Sequence, residues 1–409
     1  MHNDKKGNYI LAINSGSSSL KFSIYEIGEN EKLIIRGSID RIGSRESTFQ
    51  VAESLNPNLI ELDMELPNHE AAFRVLFNWL ENNKYNKKID AVGHRLVNGG
   101  SSFIAHHFIT SQLISNLKKI SYLAPDHLSQ QIKGIETVGN LYTNLNQVAC
   151  FDTVFHNNMP KQAKMFALPR EFWDEGVMRY GFHGLSYEYI IQELNKEGGS
   201  SEVDGRIIIA HLGNGASMVA VKNGKGVDTT MGFTPTGGLM MSTRSGDLDP
   251  GIISFLLEEK KTTPLKLYEI INKKSGLYGV SGISSDMKEL LEKEAENPHA
   301  ADAINIFCYQ AKKYLGAMAS VLEGVGTIIF TGGIGENSPE IRKRICSEME
   351  FLGIQLNLSK NETNSSIISI AGTPTTVRVI KTNEELMIAR HTYCIINKNN
   401  HKDAKKMMH

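Results

Sequence analysis

The sequence predicts a mixed α/β protein made of two similar halves. Three observations carry that prediction. The order strand, donor-rich loop, strand, turn, strand occurs near the start and recurs about 200 residues later. Helical segments accompany it in both halves. At 409 residues the chain is long enough for two or three domains with sizeable cores, given roughly 150 residues per domain.

The first copy opens with NYILAIN as a strand, INSGSSSLKF as its donor-rich connection and LKFSIYEI as the second strand. IGENEK is a turn and LIIRGSI the third strand, by their alternation and their bounding turn residues. A Walker-type loop would run from a strand into a helix and carry Gly-Lys-Ser/Thr. This loop does neither, so a P-loop NTPase is disfavoured. Residues 69–82 and 111–121 read as helices, and QVACFDT is the strand that ends the first half, near Phe151–Thr153.

In the second copy RIIIAH is a strand, LGNGAS a glycine-rich loop, MVAVKN a strand, NGKG a turn and GVDTT a strand. Residues 251–260, 286–296 and 300–323 read as helices, and TTVRVI as a late strand. The last helix, from TNEELMIARHTYC, carries apolar Leu386, Met387, Ala389 and Tyr393, and is expected to return to the first domain. Two donor-rich hairpins suggest two domains that grip an anion from both sides of a cleft.

Composition narrows the class. Apolar residues are 41% and charged residues 22%, with 44 basic against 45 acidic side chains. No global field draws the chain to nucleic acid or an anionic membrane. Cys150, Cys308, Cys346 and Cys394 are far apart and read as buried free thiols of a reducing compartment. MHNDKKGN lacks the apolar core of a signal peptide, no apolar run is long enough to span a membrane, and NKNNHKDAKKMMH reads as a frayed tail.

Each motif has a plain structural use beside a chemical one. Asn14, Ser15, Ser17, Ser18, Ser19 and Lys21 suit a tight turn as well as an anion cradle. Leu212–Ser217 is an Asn-Gly turn or an anion nest. FTGGIGENSPE is a strand, a glycine loop and a helix with Ser338 as N-cap and Pro339 at its first position. Lys273–Leu290 is a second Gly/Ser-rich loop that enters a helix. Arg95 and Arg244 lie beside glycine bends, where a guanidinium fork serves a phosphate, a carboxylate or a salt bridge. Asp249 and Pro250 open the helix that follows Arg244. Asp152 at a strand end caps a turn or positions a metal. His156 and His183 lie in FDTVFH and YGFHG, and His106–His107 are given no role. Thr382 and Glu385 fit a capping box, while Glu384 serves magnesium or the helix dipole.

Together these segments resemble the acetate kinase family. The matching motifs are NSGSSSLKF, VGHR, FDT-x-FH, YGFHG, HLGNGAS, DTTMGFTP, TRSGDLDPG, KKSGL-x-G-x-SGISSDM, GIGENS and TNEELMIAR, in order from Asn14 to Arg390. The resemblance implies an actin-like, sugar-kinase-like fold: two duplicated ribonuclease-H-like domains flanking a nucleotide cleft. The expected domains are 1–151 completed by 384–409, and a nucleotide-binding domain at 152–383. It implies reversible transfer of a phosphoryl group from ATP to acetate, with Mg²⁺ (or Mn²⁺), in a cytoplasmic homodimer without nucleic-acid or membrane partners. A kinase preferring propionate or another short acid is the near alternative. An actin-like switch or chaperone ATPase is the alternative of another class.

By the same resemblance, Asn14, Ser17, Ser19 and Lys21 line the phosphate side. Arg95 and Arg244 hold the carboxylate and the phosphoryl group in flight, and His183 bonds its equatorial oxygen. Asp152 positions the carboxylate or the metal, and Glu384 supports Mg²⁺ with Asn14. His127 and His211 match active-site histidines, and Asn214 and Gly215 meet the nucleotide phosphates. Asp286, Met287, Lys288, Gly333, Ile334, Gly335 and Asn337 form the adenosine site. Val97, Phe182 and Pro235 form the acyl pocket. The sequence departs from the family at Asn98, Asp126, Thr236–Gly237 and Lys288. The first three fall near the expected acid, so a polar cluster of Asp126 with Asn98 and Thr236 is expected behind the pocket wall. No general base is required, because a carboxylate with a pKa near 4 is already ionised.

Overall fold

The computed structural model describes residues 7–54 and 60–406. The chain divides into two units: Met1–Val154 with Asn383–His409, and Phe155–Thr382. Asp152 and Glu384 thus belong to one unit.

Among the described residues the first unit holds an eight-stranded sheet. Its strands are β1 (Asn8–Ser15), β2 (Leu20–Ile27), β3 (Glu31–Asp40), β4 (Ser47–Glu53), β5 (Ile60–Met64), β6 (Ala91–Leu96), β7 (His107–Phe108) and β8 (Asn146–Phe151). Their order is β5-β4-β3-β2-β1-β6-β8-β7. β1, β2 and β3 form an antiparallel meander, and β6 and β8 add parallel to β1. β1 is apolar on both faces because both are covered, as the central strand of such a sheet requires. Leu11 and Ile13 join Phe73, Leu76, Phe77 and Val138 from the helices His69–Asn82 and Pro125–Leu141. Ile10, Ala12 and Asn14 alternate to the other face, where the helix Glu384–Lys406 packs on β1, β2, β6 and β8. Gly93 in β6 explains the close fit. A Cβ there would lie 2.2 Å from Thr392 Oγ1 and 2.6 Å from Ile388 Cγ2.

The second unit repeats the inner order. Its strands are β9 (Arg206–Leu212), β10 (Ala216–Lys222), β11 (Lys225–Thr229), β12 (Thr327–Thr331) and β13 (Thr376–Val379). The sheet reads β11-β10-β9-β12-β13, again a meander extended by two parallel strands. Ile207, Ile209, Val219, Val221 and Ile329 pack on Tyr187, Ile190 and Leu194 of the helix Gly184–Gly198. The duplicated actin-like fold expected from the resemblance is therefore present.

Several local expectations are corrected. GGIGEN is a short helix, Gly332–Asn337, and not a loop. Ser338 precedes the helix Pro339–Cys346 without a side-chain cap bond. The helix Glu384–Lys406 runs through most of the expected tail; Met407–His409 lie outside the described residues, as does MHNDKK. Cys150, Cys308 and Cys346 are buried, but Cys394 is exposed. The capping box fails: Asn383, not Thr382, accepts from Leu386 N, at 3.1 Å.

Buried histidines make the fold sensitive to acid. Burial pushes His94 and His156 down to about 4. These folded values lie below the ordinary 6.5, so the unfolded chain takes up protons first as pH falls. Their contribution is complete above pH 6.5 and is lost towards pH 4, by about 1.4 kcal/mol per pH unit for each histidine. Urea melts at pH 7 and pH 5 should show this loss; equal midpoints would contradict it.

Candidate functional site

In the first unit the strand ends carry the chemistry. Asn14 ends the face of β1 that meets the helix Glu384–Lys406, and Arg95 ends the same face of β6. Arg95 donates through Nε at 3.0 Å to both oxygens of Asp152, and through Nη2 at 2.6 Å to Oδ2. Its Nη1 donates to Asn14 Oδ1 at 2.9 Å and lies 3.4 Å from Glu384 Oε2. Asn14 Nδ2 donates to Glu384 Oε2 at 2.9 Å and to Glu385 Oε1 at 3.1 Å. Asp152 is fully buried. Burial alone would lower the Arg95 pKa, but the Asp152 and Glu384 charges outweigh it, and the net shift is upward. The guanidinium therefore stays charged at every working pH.

Glu385 was expected to serve only a cap. Instead it joins Glu384 on Asn14 Nδ2. The cluster thus gathers Asp152, Glu384 and Glu385 around one guanidinium, an excess of negative oxygen that suits a hard divalent cation. Asn14 Oδ1 accepts from Arg95 and keeps a second lone pair, so the acceptors of this set are the carboxylates and Asn14 Oδ1.

The serine loop lies beside this cluster. Lys21 pairs with Asn14 across the β1–β2 register, on the same face. Ser17 and Lys21 are exposed and Ser19 is half-buried. Val97 is buried at the end of β6, and Asp126 and His127 are half-buried in the first turn of the helix Pro125–Leu141. Of the departures, Asn98 and Thr236 each make a bond within their own unit. Asn98 Oδ1 accepts from Gly100 N at 2.7 Å, and Thr236 gives its hydroxyl to Asn272 Oδ1. Asn98 thus serves its own turn, and Thr236 fastens its loop to the helix Pro264–Lys273.

In the second unit His183 has left-handed φ of 59° as the residue before the helix Gly184–Gly198. Its Nδ1 bonds Ser217 Oγ at 2.8 Å, and Tyr187 OH bonds the same hydroxyl. Its ring stacks on His211 with centroids 4.2 Å apart. His211 Nδ1 bonds Ser186 Oγ at 2.9 Å, which also meets Thr382 Oγ1 at 2.8 Å. The bend before it is fastened from within, because buried His156 bonds Phe182 O at 2.9 Å.

The glycine loop between β9 and β10 sits against these rings. A Cβ placed on Gly215 would lie 3.1 Å from His183 Nε2 and 3.8 Å from Arg244 Nη1. A Cβ on Gly213 would lie 3.7 Å from Gly333 N and 3.9 Å from His211 Nε2. The structure thus brings His183, His211, Gly215, Arg244 and Gly333 together. Arg244 Nη1 donates to Pro235 O at 3.1 Å, which ties it to the loop of the expected acyl pocket. Asn214 is exposed, and Phe182 is buried.

The expected adenosine residues have local work of their own. Asp286 caps the helix Met287–Lys293, accepting from Lys288 N and Glu289 N. Asn337 donates to Gly333 O at 2.9 Å. Gly333 and Lys288 are exposed, Ile334 is half-buried, and Met287 and Gly335 are buried. Sequence reading missed Arg342, which is fully buried and donates to the carbonyls of Gly335 and Glu336 at 2.8 and 3.1 Å. Glu336 in turn accepts from Gly332 N and Thr382 N. No residue-type pattern marks these residues, since their partners are backbone groups, which any sequence offers, and one of them, Thr382 N, lies 46 positions from Glu336.

Residues 9–390 match the model of the acetokinase family. The chain is 43% identical over 392 residues to an acetate kinase of Rhodopseudomonas palustris, covering 94% of this chain and 97% of that one. It is 41% identical over 401 residues to an acetate kinase of Thermotoga petrophila, covering 95% and 99%. Among solved structures, the acetate kinase of Porphyromonas gingivalis superposes with a TM-score of 0.85 at 38% identity, covering 95% of this chain and 100% of that one. A propionate kinase from Francisella tularensis superposes with a TM-score of 0.88 at 34% identity, with the same coverage.

Proposed function

The chain belongs to the acetokinase family, and from that premise we propose that it transfers the terminal phosphoryl group of ATP to acetate, reversibly. One carboxylate oxygen of the acid forms the new P–O bond while the bond to the ADP oxygen breaks. No proton need move. The difficulty is to hold two anions together, and a site for that needs fixed positive charge and donors more than a base. The observation that carries this reading is the grouping of His183, Arg244 and the Gly213–Gly215 backbone in a donor-rich set, with Arg95 held rigid by Asp152. In this assignment Arg95 and Arg244 act on the acid and the phosphoryl group. His183 donates to an equatorial oxygen, and Val97, Phe182 and Pro235 bound the methyl group.

The test is ADP release with and without acetate, with hydroxylamine trapping the acyl phosphate. Release that ignores the acid would point to a switch ATPase instead. Because a propionate kinase superposes so closely, kcat/KM should be measured across formate, acetate, propionate and butyrate. One methylene changes preference by only about 10–200-fold in such pockets, so acetate and propionate should both react, with acetate ahead.

The carboxylates Glu384 and Glu385, with Asp152 behind them, fit Mg²⁺ by charge and by hard oxygen chemistry. When bound, the ion would neutralise phosphate charge. Asn14 holds both glutamates, so both variants, Glu384→Ala and Glu385→Ala, should raise the Mg²⁺ needed for half-maximal rate. About 10–100-fold is expected for partners of a metal shell, with Glu384 the larger because it also faces Arg95. An unchanged Mg²⁺ titration in both would remove the metal assignment.

The reading extends to assembly and compartment. The helix Pro250–Glu258 buries none of its residues, and Ile252 and Phe255 are 42% and 48% exposed. Such a face suits a second copy of the chain, and sedimentation should find a dimer that Phe255→Glu weakens. Free Cys150, Cys308, Cys346 and Cys394, with ATP as substrate, suit the cytoplasm. Among the described residues no helix is long and apolar enough to cross a membrane.

A further inference from the structure

We infer that Gln131 is a positioning residue for Arg95 and Asn14; the inference rests on the kinase reading above. The register between β1 and β6 ends at the pair Ile13–His94, one residue before Asn14 and Arg95. Beyond that pair the two strand ends have no ladder between them. The Gln131 side chain takes the place of the missing rung. Its Nε2 donates to Ser15 O at 3.2 Å, and its Oε1 accepts from Val97 N at 3.1 Å.

The amide thus bridges the residue after Asn14 to the second residue after Arg95. On the opposite face Arg95 Nη1 bonds Asn14 Oδ1. One backbone bridge and one side-chain bond fix the same pair of strand ends from two sides. Gln131 is 2% exposed, in the middle of the helix Pro125–Leu141, where its neighbours Leu128, Ile132 and Ile135 are core residues. An apolar side chain would suit that position without the desolvation cost of an amide. The amide is satisfied only because the two strand ends are there. His69, buried at the start of the helix His69–Asn82, bonds Gly16 O at 2.9 Å and anchors the serine loop that continues from Ser15.

The mechanism is geometric. Without the bridge, Arg95 and Asn14 lose a fixed separation while the sheet below them persists. Misplacement by about 1 Å can cost 10²-fold in rate. The test uses the full chain with Gln131→Met, which keeps the volume and removes both bonds. kcat should fall by at least about tenfold, and KM for acetate should rise. The dissociation constant of ADP should stay within about threefold, because the adenosine residues are assigned to the other unit. Wild-type kcat in this variant overturns the inference. A parallel loss of ADP affinity and cooperative melting also overturns it, since that marks a merely structural residue. Should Gln131→Met fail to fold, Gln131→Glu decides. It keeps an acceptor for Val97 N, and once its carboxyl ionises it has no donor for Ser15 O, so kcat relative to wild type should fall as pH rises through that ionisation; a folded variant that matches wild-type kcat across the whole pH range overturns the inference equally. A wild-type chain without acetate-dependent turnover would overturn the functional reading itself, a result distinct from these.

Discussion

Leucine in place of Arg95 is expected to lower kcat by at least about a hundredfold, the scale for losing a donor that meets developing charge. It should also weaken the fold. Asp152 is fully buried and takes three hydrogen bonds from this guanidinium. Removing one partner of a buried pair leaves an uncompensated charge, at a cost of roughly 3–5 kcal/mol. The two effects separate in a double variant. Adding Asp152→Asn to Arg95→Leu should recover much of the stability and none of the turnover. Lysine at position 95 should serve poorly, because an ammonium cannot span both Asp152 oxygens and Asn14 at once. Urea melts and ADP release measure both quantities. Turnover above a tenth of wild type in Arg95→Leu would sink the assignment.

The second large effect is expected at Arg244, with a different signature. Arg244→Leu should also cut kcat by at least about a hundredfold. Its melt is expected to move less than that of Arg95→Leu, which strands the fully buried Asp152 carboxylate, whereas Arg244 Nη1 releases the carbonyl Pro235 O. The acid KM should rise as well, since that contact ties the guanidinium to the loop of Pro235. Turnover near wild type would return Arg244 to a structural role. A collapse in stability equal to that at Arg95 would show that the second unit depends on it for folding.

The contrast between the arginines shows how far sequence reading reaches. The doubled meander was legible because alternation and turn residues are local, and β1 to β3 and β9 to β11 follow them. The helix His69–Asn82 was legible by its apolar period. The helix Pro125–Leu141 was not. Its buried stripe is interrupted by Gln131, and Gly134 sits where a Cβ would strike Phe73. GGIGEN looked like a loop because three of its six residues are glycine. Its helix is held by Glu336, which accepts from Gly332 N and from Thr382 N far along the chain, and by Arg342, whose side chain reaches back to the carbonyls of Gly335 and Glu336. The capping box misled for a related reason. Thr382 is drawn to Ser186, so Asn383 takes the cap and Glu385 turns to Asn14. Site residues were legible as residue types at strand ends. Their partners were not, since partner choice is decided by packing.

The bond between Asn14 and Glu384 spans 370 positions of chain. At synthesis rates of about 5–20 residues per second, roughly 20–70 s separate the appearance of its two ends. For most of that interval, once residue 95 has been made, a nascent chain holds Asn14 and Arg95 without the glutamates that complete their cluster, and Gly93 lacks the last helix that will cover it. An unfinished or prematurely ended chain therefore cannot assemble the carboxylate set beside Arg95. Competence arrives only with the final stretch of translation, so ribosomes that abandon the message early release fragments that leave the cell's nucleotide pool untouched.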